Sequence, residues 1–174
     1  MNVQRFHPSM LLTPFIREYI IVESDLGTDS NILPDTSMVM AFRFKGNIQR
    51  KEGEKIETLP SSVISGLRRS HRIMSYSRET ANLLVVFKEG GLAAFSSIPA
   101  NELFDLNIPS DNIFPAVPLN DVLWRLSEAP DNKSRIGHIE TFLLQHLTTH
   151  EPDILIGKAI RLIKQQNEIG RAHV

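Results

Sequence analysis

Apolar residues recur at every second position along the first half of the chain and at every third or fourth along the second half. EYIIVES, Glu18 to Ser24, is rich in β-branched residues, which crowd a helix but fit a pleated strand. In SMVMAFRF, Met38, Met40, Phe42 and Phe44 alternate with Val39, Ala41 and Arg43, the period of a half-buried strand. SSVISGL and RIMSYS predict two more short strands. ANLLVVF, Ala81 to Phe87, is apolar on both faces and predicts a central strand. Turn chemistry separates these runs. In LPDT, Leu33 to Thr36, Pro34 presets φ and Asp35 can cap its own backbone. KGNIQRKEGEK, Lys45 to Lys55, is polar with two glycines and predicts a hairpin or exposed loop.

The period then changes. GGLAAF follows the central strand, its paired glycines allowing positive φ at a tight turn. PANELFD predicts a helix, with Pro99 suited to its first position. Beyond IPSDNIFPAVP, residues Leu119, Val122, Leu123 and Leu126 share one helical face. Asp131 or Asn132 can cap the next helix, whose apolar face holds Ile136, Ile139, Leu143 and Leu147, widened by Phe142 and Leu144. HEPD breaks that helix at Pro152, and Ile156, Ala159, Ile160 and Ile163 repeat the helical template. The expected fold is α+β: a barrel-like, cupin-like β domain followed by a helical segment of three or four helices.

Composition narrows the classes. The 174 residues suffice for one domain with its own core, and 41% apolar with 22% charged residues is ordinary for a water-soluble fold. A formal net charge of -1 argues against a strongly basic nucleic-acid module. No cysteine is present, which removes disulfides, thiolate metal sites and a cysteine nucleophile. The start, MNVQRFHPSMLL, does not read as a signal peptide, and no stretch has the apolar length of a membrane span.

Motifs for phosphate loops, dinucleotides, zincins and a nucleophile elbow are missing. His146 and His150 stand at i, i+4 on a predicted helix, a metal-ligand spacing without an evident third ligand. Two exposed histidines near a helix C-terminus, where positive charge is favoured, is the simpler reading. GLRRSHR, Gly66 to Arg72, gathers Arg68, Arg69 and Arg72 around His71. Guanidinium forks there suit an anionic ligand, although a solvated loop between strands is the simpler expectation. Trp124 is expected in the core, and Phe42 and Phe44 form a wall of the β core before they line a pocket. A small barrel can serve both ends, because inward residues also line a cavity.

The order of LPDTSMVMAFRFKG, SGLR, LLVVFKEGGLAAFSSIPANELFDLNIPSDNIF and PLNDVLWRLSEAPDNKSRIGHIETFLLQHL resembles one branch of the AraC-type (AraC/XylS) transcription regulators, over roughly residues 10 to 165. The chain departs from that pattern at Thr36, where the family often has glycine, and at Glu89, where it often has proline. The resemblance implies a bacterial, cytoplasmic, β-rich sensor domain, not an enzyme, with a possible small-molecule effector, a possible homodimer, and DNA bound only through a following helix-turn-helix domain. It carries over no effector residue, and no catalytic, metal or cofactor site is expected. KAIRLIKQQN resembles the first helix of such a DNA-binding domain through Ala159, Leu162 and Ile163, with Glu168 where a glycine is usual.

The expected organisation is therefore residues 1–115 as the sensor domain, 116–151 as linker helices, and 152–167 as the first helix of a truncated DNA-binding domain. Residues 168–174, EIGRAHV, equal one frame of a common short-read sequencing adapter, so this tail, with Arg171 and His173, is expected to be non-native. Two other classes fit the residues less closely. A stand-alone cupin-like enzyme or small-molecule binder wants a His-x-His on a strand, which is missing; a domain that only binds other proteins needs no pocket. The second helix of a helix-turn-helix unit enters the major groove, and none is legible in these residues. A gel-shift with the 174-residue chain is expected to show no salt-resistant, sequence-dependent binding; such binding would contradict the assignment.

Overall fold

The computed structural model describes residues 1–148. Ten strands come first: β1 (Asn2–Phe6), β2 (Ile16–Ser24), β3 (Thr28–Ile32), β4 (Val39–Lys45), β5 (Ile48–Glu52), β6 (Lys55–Thr58), β7 (Ser62–Ser65), β8 (Arg72–Tyr76), β9 (Thr80–Phe87) and β10 (Asn107–Pro109). Two helices follow among the described residues, α1 (Ala116–Glu128) and α2 (Asn132–Gln145). The strands form a six-stranded sheet in the order β1-β2-β9-β4-β7-β10 and a four-stranded sheet in the order β3-β8-β5-β6. Every pairing is antiparallel. The β-rich α+β fold expected from the sequence is the fold observed.

The six-stranded sheet is a middle layer. Successive side chains on a strand point to opposite faces, so each central strand serves two environments. On one face, Tyr19, Ile21, Met40, Phe42, Leu83, Val85 and Phe87 join Leu126, Ile139, Phe142 and Leu143 of the helices in one buried cluster. On the other, Ile20, Val22 and Leu84 meet Ile48, Met74 and Tyr76 of the smaller sheet, with Leu59. Register fixes this division: Phe42 stands opposite Leu83 and Met40 opposite Val85, while Ala41 stands opposite Leu84 and Arg43 opposite Asn82.

Local chemistry explains most boundaries. The polar run Lys45 to Lys55 supplies strand β5 and the turn into β6, where Gly53 adopts φ 59°. Gly90 takes φ 77°, and a Cβ on Gly91 would lie 2.0 Å from the Phe15 carbonyl oxygen, so the pair answers two separate demands. Asp131 caps α2, its carboxylate accepting from the Ser134 N–H at 2.7 Å. Thr36 and Glu89 meet each other: the Thr36 hydroxyl donates to Glu89 Oε1 at 3.4 Å.

Several expectations need correction. PANELFD forms only a short 3-10 turn, Ala100–Leu103, because Phe104 leaves in an extended conformation and Asp105 turns the chain at φ 59°. Helix α2 stops at Gln145, and the Thr148 N–H then donates to the Ala94 carbonyl at 2.8 Å. Leu144 is 37% exposed rather than part of the buried face. Trp124, expected in the core, is 63% exposed on α1, whose buried face is Leu119, Val122 and Leu126. The predicted break at Pro152, the helix over 152–167 and the tail lie outside the described residues.

Aromatic contacts tie α2 to the sheet. The Phe142 ring meets Phe42 edge-on at 6.0 Å and lies 5.1 Å from Phe114 and 4.5 Å from His146. Such pairs add to burial by about 0.5–1.5 kcal/mol each. Phe142→Ala is therefore expected to lower unfolding free energy by about 3–5 kcal/mol in urea denaturation. Trp124→Ala is expected to change it by no more than about 0.5 kcal/mol.

Candidate ligand pocket between the sheets

The two sheets face each other without filling the space between them. A cavity of about 100 Å³, open to solvent at its mouth, lies there. Its floor is the second face of the middle sheet: Val39 and Ala41 from β4, Val63 from β7 and Leu84 from β9. Its roof is Ile48, Met74 and Tyr76 of the smaller sheet, closed at the sides by Ile32, Leu59 and Pro60. Small residues on the floor explain why it is hollow. Ala41 stands between Val63 and Leu84 on the neighbouring strands, so the centre of the floor carries only a methyl group.

Besides Ser61, Ser65 and Tyr76, three longer polar side chains line this mainly apolar chamber. Asn82 is 5% exposed, and its Oδ1 is buried with no hydrogen-bond partner. Arg43, its register partner, has a buried Nε that is likewise unpartnered. The rest of that guanidinium is held in place: Nη1 donates to the Gly46 carbonyl at 2.8 Å and to Asn47 Oδ1, and Nη2 to the Leu59 carbonyl at 3.4 Å. A buried polar atom without a partner costs about 1–3 kcal/mol, and both of these atoms are closed off by their neighbours rather than open to the chamber. Arg68 is the third. It follows β7 and lines the cavity with Ile32, Val39 and Ser65. Burial depresses its basicity, partly opposed by the charge of Asp35. Arg43 is depressed by burial too. Both remain cations near neutrality.

Asp35 does not neutralise Arg68 by a direct pair. Its carboxylate lies 3.0 Å from Arg17 Nη2, and Arg17 Nη1 also donates to Ser37 at 2.8 Å. Burial pushes the Asp35 carboxyl up, but the bonds from Arg17 and the Thr36 N–H outweigh it and hold the group below its ordinary value. Among the described residues Arg68 has neither a hydrogen bond nor an ion pair.

The arginine cluster in GLRRSHR is thus divided. Arg69 turns to solvent, with Nε 2.8 Å from Asp105 Oδ2 and its guanidinium 5.2 Å from the Phe104 ring centre. Arg72 braces the loop, donating to Asn107 Oδ1 and to the Asp105 carbonyl, both at 2.6 Å. His71 lines a separate polar pocket with Arg50, Glu52 and Asp105. Only Arg68 of the cluster reaches the inter-sheet cavity. Gly66 permits the tight entry to this loop, since a Cβ there would sit 1.7 Å from the Leu103 carbonyl oxygen.

The other singled-out residues serve packing. Phe42 is buried against α2, and Phe44 lies under Arg135 at 4.6 Å, so neither lines the cavity. His146 is half-buried, with Nδ1 2.7 Å from the Phe142 carbonyl oxygen, and His150 lies outside the described residues. No group of three or more metal-ligating side chains occurs among the described residues. Asn82 and Arg43 were not singled out from the sequence. Their signal was there: a lone amide in an apolar run and a lone cation on a strand whose partners are small.

Comparison with known proteins adds the following. No curated protein matches the chain. Solved structures resemble it distantly. An AraC-like transcriptional activator, CuxR, has a TM-score of 0.41 and 11% identity, covering 98% of this chain and 72% of that one. The apo K231A form of ToxT from Vibrio cholerae has a TM-score of 0.43 and 13% identity, covering 90% of this chain and 67% of its own. A second ToxT structure has a TM-score of 0.40 and 10% identity, covering 95% and 66%. No described helix is long and apolar enough to cross a membrane. Residues 4–109, most of the two-sheet unit and every residue lining the cavity, match the family described as a domain of unknown function, DUF6597, and the chain belongs to that family.

Proposed function

We propose that this chain is the sensing part of an AraC-type transcription regulator and that the cavity between the sheets holds its small-molecule effector. One observation carries the reading: a cavity between the two sheets has mainly apolar walls, among them Val39, Ala41, Val63, Met74 and Leu84, interrupted by a few polar side chains. Apolar walls with a few convergent polar groups are the usual build of a small-molecule site. The polar side chains at the cavity, Arg43, Arg68, Asn82, Ser61 and Ser65, can hold and orient a ligand. They include no histidine, carboxylate or thiol, and the phenol of Tyr76, also in the lining, is held protonated by burial, which favours binding over catalysis. On this reading the protein works in the cytoplasm, as a possible homodimer, and DNA contact belongs to a further domain.

Thermal shift against a library of small metabolites tests the proposal. A ligand specific for the folded state adds about 2.7 kcal/mol at a hundred times its Kd, so hits raise Tm. Ala41→Phe fills the centre of the cavity floor and is expected to abolish the shift for those hits. Its packing penalty, about 1–3 kcal/mol, is read separately from Tm without ligand. Hits that stabilise the Ala41→Phe protein as well as the parent would place binding elsewhere.

A further inference from the structure

The connection between β6 and β7, Leu59 to Ser61, serves two hollows at once. Leu59, Pro60 and Ser61 close the side of the inter-sheet cavity. Pro60 and Ser61 also line a second hollow of about 140 Å³, with Ala116, Leu119, Asn120 and Leu123 of α1. These two residues are the ones common to both linings.

On the cavity side the connection is fastened by backbone and guanidinium. The Leu59 N–H donates to the Ile48 carbonyl at 3.0 Å, and the Arg43 N–H donates to the Ser61 carbonyl at 2.7 Å. Arg43 Nη2 adds a bond to the Leu59 carbonyl at 3.4 Å. Ile48 and Arg43 both line the cavity, so a displaced wall pulls on the connection. On the helix side it is tied by one side-chain bond. Ser62, the first residue of β7, donates through Oγ to Ser110 Oγ at 2.7 Å. Ser62 is 5% exposed and Ser110 0%. A hydroxyl pair shut away from water has no substitute partner, so the two move together or lose the bond. Ser110 opens the 3-10 turn Ser110–Asn112, and its carbonyl accepts from the Ile113 and Phe114 N–H groups at 3.0 and 2.9 Å. Pro115 is the N-cap residue of α1, and the Phe114 ring packs on Phe142 of α2. A shift of Ser110 therefore enters α1 at its start. Coupling between sites needs such a contiguous chain of bonds and packed groups, with room for a second arrangement. The hollow beside α1 supplies the room.

We propose, on the reading of the inter-sheet cavity as the ligand site, that its filling is passed to α1 through the connection Leu59 to Ser62, with the Ser62–Ser110 bond as the tie. Strand β4 is the competing route, since its residues alternate between the cavity and the helices.

Trp124, the only tryptophan of the chain, lies on α1 beside Leu123 and reports on that helix. Ala41→Val and Ala41→Leu fill the cavity floor in steps and stand in for a ligand. Each is compared in two backgrounds, the parent chain and Ser62→Ala/Ser110→Ala, where both partners of the tie are gone and no hydroxyl is left unpaired. In the parent background the Trp124 emission maximum is expected to shift and amide exchange along α1 to change by about fivefold or more. In the background without the tie both responses are expected to disappear. No response of α1 to either filler in the parent background overturns the proposal. Equal responses in both backgrounds overturn the route and assign the coupling to β4. Ala41→Val, the smaller change, carries the comparison if Ala41→Leu does not fold. Library hits that survive Ala41→Phe would sink the ligand site and leave the effect of the fillers on α1 as it was, so the two readings fail separately.

Discussion

Strand β9 and its neighbour β4 are covered on both faces, and everything else in the fold follows from how differently those faces are covered. Toward the helices, Met40, Phe42, Leu83, Val85 and Phe87 pack with Leu126, Ile139, Phe142 and Leu143 of α1 and α2 in one buried cluster. Toward the smaller sheet, Ala41 sits between Val63 and Leu84 at the centre of the floor, and a chamber is left above it. A sheet anchored so firmly on one side can hold a hollow on the other, because the packed face supplies the burial that stabilises the chain. The same alternation that makes a strand two-sided thus separates stability from recognition, residue by residue along one segment.

The polar side chains beside the chamber make that separation informative. A buried Asn82 carbonyl and Arg43 Nε without partners weaken the fold. Replacing both by apolar residues of similar size is nearly neutral or stabilising in general, so a chain selected for stability alone has little reason to keep them. Three acceptors also hold the Arg43 guanidinium in place. Arg17, by engaging Asp35, keeps the nearest carboxylate from closing onto Arg68.

The sequence made the strands of the packed face legible because large apolar residues at period two announce themselves: Met40 and Phe42 did so at once. Strand β3, TDSNI, and the edge strand β1, NVQRF, carry no such pattern, since their neighbours cover little of them and burial does not select their residues. Trp124 was misplaced because a lone aromatic on an amphipathic helix reads as core, while register on α1 turns it to solvent. PANELFD carries good helix-start chemistry, but Asp105 is drawn into a turn by its bonds to Arg69, at 3.0 Å from the N–H and 2.8 Å from Nε. The pocket was the least legible. GLRRSHR was visible as a charge cluster, yet nothing in its spacing separates Arg68 from Arg69 and Arg72. Asn82 and Arg43 become neighbours only through the pairing of β4 with β9, a contact between segments some forty residues apart.

The central claim is that one face of the middle sheet packs while the other binds. Methyl NMR during titration with a stabilising ligand tests it most directly. Resonances of Ala41, Val63, Met74 and Leu84 are expected to move with ligand, while those of Leu126, Ile139 and Leu143 stay in place. Shifts confined to the helix-side methyls, or to neither set, would contradict the account.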